Sequence, residues 1–435
     1  MNNNMLATLR GKSLVIFGAS EAARDVIANI KLTCNNDCLF VVDNDAAKQG
    51  TAFCGLNVLS PETLRDGKML CVVICINRFF NEVKAQCDEY GVLSYHYSEF
   101  GTLIRQNWAK YSENLRREAM FLATKNLFLS MDMLPAIIDL SGNKEGAEKD
   151  TITDYWSVHT VFHYYCTKTE DIAYQLKLFD NYPLYREYSL HDMDFDGKVI
   201  LDYGCGPGND VVWFTGKNNL KKIIGCDVSR KALEISQYRT ALHGIDKSKV
   251  CLYQISQSGE IPLDDKSIDY INCQGVLMHT ANPAKIISEF RRVLKPDGII
   301  CIMVYSKDSL WWHYYAGYYL KYLDNSGNFS YDTEQNFNKS TDGLMCPKAS
   351  CWSRAEFTQI LTNAGFAENN IGQGGGYLNV LELKYKRDDI QAALEDDRLD
   401  KSHRDFLECV SFDERGYPIY QGKTCGIGGV YVVKG

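Results

Sequence analysis

Three short apolar runs punctuate the first hundred residues: SLVIFGA (13–19), CLFVVD (38–43) and MLCVVICI (69–76), with helix-patterned stretches such as FFNEVKAQCDEYG between and after them. Runs that are apolar throughout belong to strands covered on both faces, and the intervening helices supply the cover. Residues 1–100 are therefore predicted to form a small Rossmann-like α/β domain. From 101 to 190 the period lengthens. LIRQNWAKYSENLRREAMFLATKNLFLSMDMLPAIIDL reads as helix up to the polar break SGNKEG (141–146), so this span is predicted to be a helical connector that covers the site of the next domain. From 198 onward the alternation restarts with KVILDY, KKIIGCDV, KVCLYQI, SIDYINC and GIICIMVY as strands. PAKIISEFRRVL carries Ile286, Ile287, Phe290, Val293 and Leu294 on one helical stripe, and KPDG ends it. Five strand and helix units predict a doubly wound sheet over residues 191–435.

At 435 residues the chain exceeds one ordinary core, which agrees with two domains. Its 47 Lys and Arg against 55 Asp and Glu leave no field to draw a polyanion, so no nucleic-acid partner is expected. No apolar run approaches a membrane span and the N-terminus lacks a basic segment before a long apolar core, so a cytoplasmic chain with no membrane partner is expected. Sixteen cysteines are spread through strand-like runs, as buried reduced thiols would be.

Metal motifs fail on spacing. Cys71 and Cys75 stand about 13 Å apart along a strand, and Cys34 with Cys38, like Cys346 with Cys351, lacks a second clustered pair. His159 and His163 share a helical face without a third ligand. HDMDFDG (191–197) imitates a calcium loop, but Tyr203 stands where its bidentate carboxylate belongs. No metal is expected.

The sharpest signal is VILDYGCGPGND (199–210), a strand that runs into a glycine turn. Such a turn places backbone amides and a helix N-terminus at the ligand crevice. A dinucleotide fingerprint needs a third glycine at 209, which is Asn209; the glycine comes one residue early, at Gly208. Asp202 would repel a pyrophosphate but suits a cationic ligand such as S-adenosylmethionine, with its ammonium and sulfonium. Nineteen residues beyond Gly208, Asp227 ends the next strand, where a carboxylate can take ribose hydroxyls. Gln257 and Ser258 follow the third strand as candidates for the adenine edge.

Residues 198 to about 305 resemble the class I S-adenosylmethionine-dependent methyltransferases, through VILDYGCGPG, IIGCDVS, IPLDDKSIDYINC and VLMHTANPAKIISEFRRVLKPDGIICI in family order. The resemblance implies strand order 3-2-1-4-5-7-6 with the last strand antiparallel, supplied by GVYVVKG at the C-terminus. It implies Asp202, Gly204, Cys205, Gly206 and Gly208 at the methionyl end, Asp227 and Val228 at the ribose, Gln257 and Ser258 at the adenine, and Gln274 beside the cofactor. Relatives often carry aspartate at the position of Gln257.

The loop CQGVLMHTAN opens onto the same crevice, making His279 the candidate general base or acceptor contact. Tyr305, with Ser306, edges the crevice. An insertion at 307–352 holds Trp311, Trp312, Tyr314, Tyr315, Tyr318, Tyr319 and Tyr322, dense enough for a lid, a pocket lining or a homodimer contact. YPLYREYSL (182–190), with Tyr185 and Arg186, is a second candidate cover. The first domain resembles the Rossmann-like domain preceding bacterial sugar acyltransferases, although Gly18 is followed by ASEAA where those relatives keep further glycines. The resulting expectation is O-methylation of a small molecule, a sugar or nucleotide-sugar precursor first. The alternatives are N- or C-methylation of a peptide or another metabolite, and a cofactor-binding assembly protein without turnover.

Overall fold

The computed structural model describes residues 13–20, 23–24, 26–27, 38–65, 70–76, 79–97, 117, 120–141, 151–158, 165–324, 329–330, 332–342, 346–379, 382–385 and 387–435. The chain divides into two compact units, Met1–Ala119 and Met120–Gly435. The first holds strands β1 (Ser13–Phe17), β2 (Cys38–Val42), β3 (Ala52–Phe53), β4 (Leu56–Leu59), β5 (Leu70–Ile74) and β6 (Leu93–His96). They lie in the order β3-β4-β2-β1-β5-β6, parallel except for the short β3 on β4. Val15, Ile16 and Phe17 on β1, like Val72 and Val73 on β5, are fully buried, as continuous apolar strands demand. Beyond β1 the Ala19 amide donates to Asp43 Oδ2 at 2.8 Å, and Lys48 pairs with the same oxygen at 3.1 Å. An amide that an anionic ligand would need at the end of β1 is thus already committed.

The second unit contains β7 (Ile137–Asp139), β8 (Val199–Tyr203), β9 (Lys222–Asp227), β10 (Val250–Gln254), β11 (Ile268–Gln274), β12 (Leu294–Tyr305), β13 (Ile371–Tyr377), β14 (Ser411–Phe412), β15 (Pro418–Tyr420), β16 (Lys423–Thr424) and β17 (Gly428–Lys434). Eight of these form one sheet, β13-β17-β12-β11-β8-β9-β10-β7. Strands β8 to β12 are parallel, and β17 inserts antiparallel between β12 and β13. Without β7 this is the order that the family resemblance implies, with GVYVVKG as its antiparallel strand. The additional edge strand, β7, pairs with β10 and comes from the stretch read as helix. Its IID triplet is too short to show a period of two, whereas the helix pattern before it continues into residues 120–130, which are helical.

The aromatic insertion forms a π-wound helix, Trp311–Leu323, whose Tyr314 and Tyr318 pack against Ile390, Ala393, Phe406 and Leu407. Those partners lie on the helices Arg387–Glu395 and Lys401–Leu407, in a densely charged stretch of the sequence. Its charges are real, but every third or fourth residue is apolar and turned inward. One side chain ties this layer to the sheet. Glu382, fully buried, accepts hydrogen bonds from the amides of Trp311 (3.2 Å) on Oε1 and of Asn379 (2.9 Å) and Ile427 (3.0 Å) on Oε2.

Replacing Glu382 by Gln keeps the side-chain size but turns an acceptor atom into a donor that faces an amide. The substitution is expected to cost about 1–3 kcal/mol of stability, seen as a lower denaturation midpoint. An unchanged midpoint would show that this clamp contributes nothing.

Candidate active site

The carboxyl ends of β8, β9, β10 and β11 open into one cleft with an empty volume of about 880 Å³, counted to its mouth. Crevices at strand ends where the order reverses are where open α/β sheets take ligands. The lining groups in three sets. Tyr203, Gly204, Gly206 and Pro207 come from the glycine turn; Asp227, Val228, Ile255, Ser256 and Gln257 follow β9 and β10; Gln274, Gly275, Val276 and His279 follow β11. The helix Thr151–Val158 contributes Ile152 and Trp156 from the region expected to act as a cover.

The turn is shaped by what surrounds it. Gly204 has φ +73°, and a Cβ there would lie 2.2 Å from Val276 Cγ2; at Gly206, φ +50°, a Cβ would meet nothing within 4 Å. The first glycine thus makes room for protein, and the second lies bare beside the cleft. Asp227 accepts the Gly206 amide on Oδ2 (2.8 Å) and the Ser229 amide on Oδ1 (2.8 Å), so it holds the turn as well as lining the cleft. Burial still raises its carboxyl above the usual value, against those backbone donors. Beneath the turn, fully buried Arg239 donates to Pro207 O (2.9 Å) and Asn209 Oδ1 (2.6 Å) and pairs with Asp171 at 3.0 Å. Residues 171 and 239 are too distant in sequence for any spacing rule to join them.

Asp202 is only 3% exposed. Asn272 donates to its Oδ1 at 3.0 Å and to Asp210 Oδ2 at 2.7 Å, and Asp210 meets His191 at 2.8 Å. Asp202 Oδ2 has no hydrogen-bond partner. Burial first, then the Asp210 carboxylate, pushes the Asp202 carboxyl well above its usual range. Burial also opposes ionisation of Asp210, but His191 outweighs it and holds that carboxyl low. Neighbouring carboxyls pushed apart in this way leave Asp202 neutral and Asp210 charged.

At the far end of the cleft His279 is buried, with its ring 4.8 Å from that of Trp156 and 5.9 Å from that of Tyr305. Its Nδ1 lies 2.7 Å from Lys348 O. A carbonyl only accepts, so Nδ1 carries a proton, and in the neutral tautomer that this bond selects the lone pair is on Nε2. Asp342 Oδ2 stands 3.7 Å from Nε2, and the Tyr305 hydroxyl donates to both Asp342 oxygens at 2.9 and 3.1 Å.

Of the residues singled out from sequence, Gly204, Gly206, Asp227, Val228, Gln257, Gln274 and His279 line this cleft, while Asp202, Cys205 and Gly208 stand behind its wall. Gly208 has φ +80° and packs on Ser236 at the start of the helix Asn209–Lys217. Ser258 is exposed and bonded to Ser256, and it is Ser256 that reaches the cleft. Tyr305 joins the cluster through Asp342. The other acceptor candidates lie elsewhere. Tyr185 packs against His191 and Tyr377, and Arg186 pairs with Asp192 on a separate open groove. Trp311 is buried with its Nε1 on Ser340, and Trp312 packs on Phe337. His159, His163 and Cys34 fall outside the described residues. No disulfide joins the described cysteines.

Residues 194–365 match the family model described as a methyltransferase domain, and residues 11–97 the one described as C2185-like, N-terminal. The chain is 31% identical over 145 residues to an uncharacterized 37.1 kDa protein in transposon TN4556 of Streptomyces fradiae, covering 32% of this chain and 41% of that protein. It is 25% identical over 131 residues to a ubiquinone biosynthesis O-methyltransferase of Neisseria meningitidis serogroup A, covering 30% and 54%. The chain thus spans about half or less of the length of these two relatives. Among solved structures, a geranyl diphosphate C-methyltransferase from Streptomyces coelicolor A3(2) aligns at a TM-score of 0.38 and 14% identity, over 65% of this chain and 96% of that one. Residues 194–365 thus match a methyltransferase-domain model, and the sheet that carries them has the strand order of the class I Rossmann-like fold.

The buried Asp202 carboxyl has a stability consequence with a definite sign. A folded pKa raised above the unfolded value near 3.8 means that the folded chain keeps a proton which the unfolded chain loses. That stabilisation is complete below the unfolded pKa and is lost as pH rises through the folded one. Asp202→Asn is expected to flatten the fall in melting temperature with rising pH above the usual carboxylate range. Parallel pH profiles for the two proteins would refute the assignment.

Proposed function

We propose that this chain transfers the methyl group of S-adenosylmethionine to a hydroxyl of a small-molecule acceptor. The observation that carries this reading is a single cleft with two chemically distinct ends. One is bounded by a glycine turn and a ribose-height carboxylate; the other is closed by His279 with its lone pair on Nε2. At the first end Gly204, Gly206 and Gln274 would hold the methionyl part, Asp227 and Val228 the ribose, and Ile255, Ser256 and Gln257 the adenine. Asp202, close behind the turn with one oxygen unpartnered, is the carboxyl that would ionise when a cation binds in front of it. When bound, the cofactor supplies an electrophilic methyl on a sulfonium.

The chain's own part is to exclude water, hold the acceptor in line and dispose of its proton. Trp156 and Ile152 roof the cleft, and His279 is the polar group at the acceptor end. Most of the lining is apolar, which favours an acceptor with an apolar or aromatic body bearing the hydroxyl. The sugar acceptor suggested by the resemblance of the first domain finds few hydrogen-bonding partners there.

Incubating the full chain with isotopically labelled S-adenosylmethionine and a small-metabolite extract, followed by mass spectrometry, tests the proposal. One labelled methyl on a hydroxyl compound is expected; a methyl on nitrogen or carbon would replace the O-methylation reading. Tight binding of S-adenosylhomocysteine with no transfer to any fraction would favour an assembly role. His279→Ala is expected to lower turnover by about 10²-fold or more while leaving S-adenosylhomocysteine affinity within threefold. Asp227→Ala should weaken that affinity at least about tenfold, given the two hydrogen bonds a ribose can make.

A further inference from the structure

We infer that His279, Asp342 and Cys346 form a binding site for one divalent cation of the zinc class, with an open coordination position facing the acceptor end of the cleft. The inference deepens the reading above and rests on it for the role of the ion, though not for its binding.

One donor atom from each of the three residues lies within 4.8 Å of the other two. The Asp342 carboxylate is largely covered, with a side chain 12% exposed. Among the described residues its oxygens receive the Tyr305 hydroxyl, and no lysine or arginine pairs with it. A covered carboxylate without a cation is costly and calls for a partner. Its charged-capable neighbour is His279, whose Nδ1 proton is committed to Lys348 O at 2.7 Å. Nε2 therefore turns a lone pair toward Asp342 Oδ2 across 3.7 Å. That distance is too long for a direct N–H···O bond. It is close to the edge between two ligands of one tetrahedral ion, roughly 3.4 Å for donors about 2.1 Å from the metal.

The surrounding bonds have the form that metal sites use. A coordinating imidazole donates its second ring N–H to a carbonyl, and a coordinating carboxylate is held by a further donor; here these are Lys348 O and the Tyr305 hydroxyl. Cys346 Sγ lies 4.0 Å from His279 Nδ1 and 3.4 Å from Lys348 O, and it joins the cluster through the 4.8 Å limit that holds one donor atom of each residue. A nitrogen, oxygen and sulfur donor set favours zinc over magnesium or calcium, which prefer oxygen alone. Three protein ligands and one vacant position are the pattern of a reactive zinc site. The vacant position would take the acceptor hydroxyl: with the ion bound, His279 would serve as its ligand instead of as the base, the oxygen–metal bond would form, the O–H bond would break and the proton would leave through the mouth of the cleft. Neither composition nor local spacing points to this cluster, because His279 and its two partners are more than sixty residues apart.

The test is metal binding by the full chain. Metal-free protein is titrated with zinc by calorimetry and with cobalt by absorption spectroscopy, alongside Cys346→Ser and Asp342→Asn. One equivalent is expected, with a thiolate-to-cobalt charge-transfer band that Cys346→Ser abolishes and an affinity that Asp342→Asn lowers at least about tenfold. S-adenosylhomocysteine affinity measured on each variant reports that its fold is intact. Absence of stoichiometric binding, or a cobalt spectrum indifferent to Cys346→Ser, overturns the inference. Methyl transfer that survives exhaustive chelation overturns the ion's role in holding the acceptor and leaves the methyltransferase reading standing. A bound ion in a protein that transfers no methyl has the converse effect: the site stands and the acceptor reading falls.

Discussion

The bend after β8 is the constraint on which the second unit depends. Within five residues the chain must leave a fully covered strand, pass under Val276, cross the end of β9 and enter the helix that packs on Ser236. Only glycine meets both the positive φ angles and the close approaches at Gly204 and Gly208. The bend is then held from two sides, by Asp227 accepting the Gly206 amide and by the buried Arg239 donating to Pro207 and Asn209. Each support is itself a charged group in a dry setting. Removing Asp171 would leave the buried Arg239 guanidinium without the carboxylate it pairs with. The cleft owes its shape to this turn, so the supports act on ligand binding without touching the ligand.

A chain of buried polar groups runs behind the same wall, from His191 through Asp210 and Asn272 to Asp202. Two carboxyls this close cannot both ionise cheaply. The histidine stabilises charge on Asp210, and the shared Asn272 leaves Asp202 with one satisfied oxygen and one bare. A fully paired network would only rigidify the core. An unfinished one holds a neutral carboxyl that a positively charged ligand on the other side of the turn would ionise.

Much of this was legible in the sequence, for identifiable reasons. The strands followed from uninterrupted apolar runs and their order from the family resemblance, and Gly204, Gly206 and Asp227, singled out at strand ends, line the cleft. What was not legible depends on long-range packing. β7 has three residues and no period to read. Ser256 rather than Ser258 reaches the cleft because the loop after β10 folds back through the Ser256–Ser258 hydrogen bond. Trp311 and Tyr185 read as candidates for a pocket lining or cover because aromatic density marks both pockets and cores. Asp342 carried no signal at all: an aspartate in a polar stretch, significant only where the chain returns to His279.

That return suggests how the two ends of the cleft divide the work. Every residue at the cofactor end comes from the sheet or from a loop directly after one of its strands. At the acceptor end only His279 and Tyr305 do; Asp342, Cys346 and Lys348 all come from the insertion that follows β12. The insertion is anchored independently, through Trp311 on Glu382 and the tyrosines on the two C-terminal helices. An element anchored away from the glycine turn can change its loops without disturbing the bend that shapes the cofactor end. On the proposed function, acceptor choice would belong to the insertion and cofactor choice to the sheet, joined at the imidazole of His279.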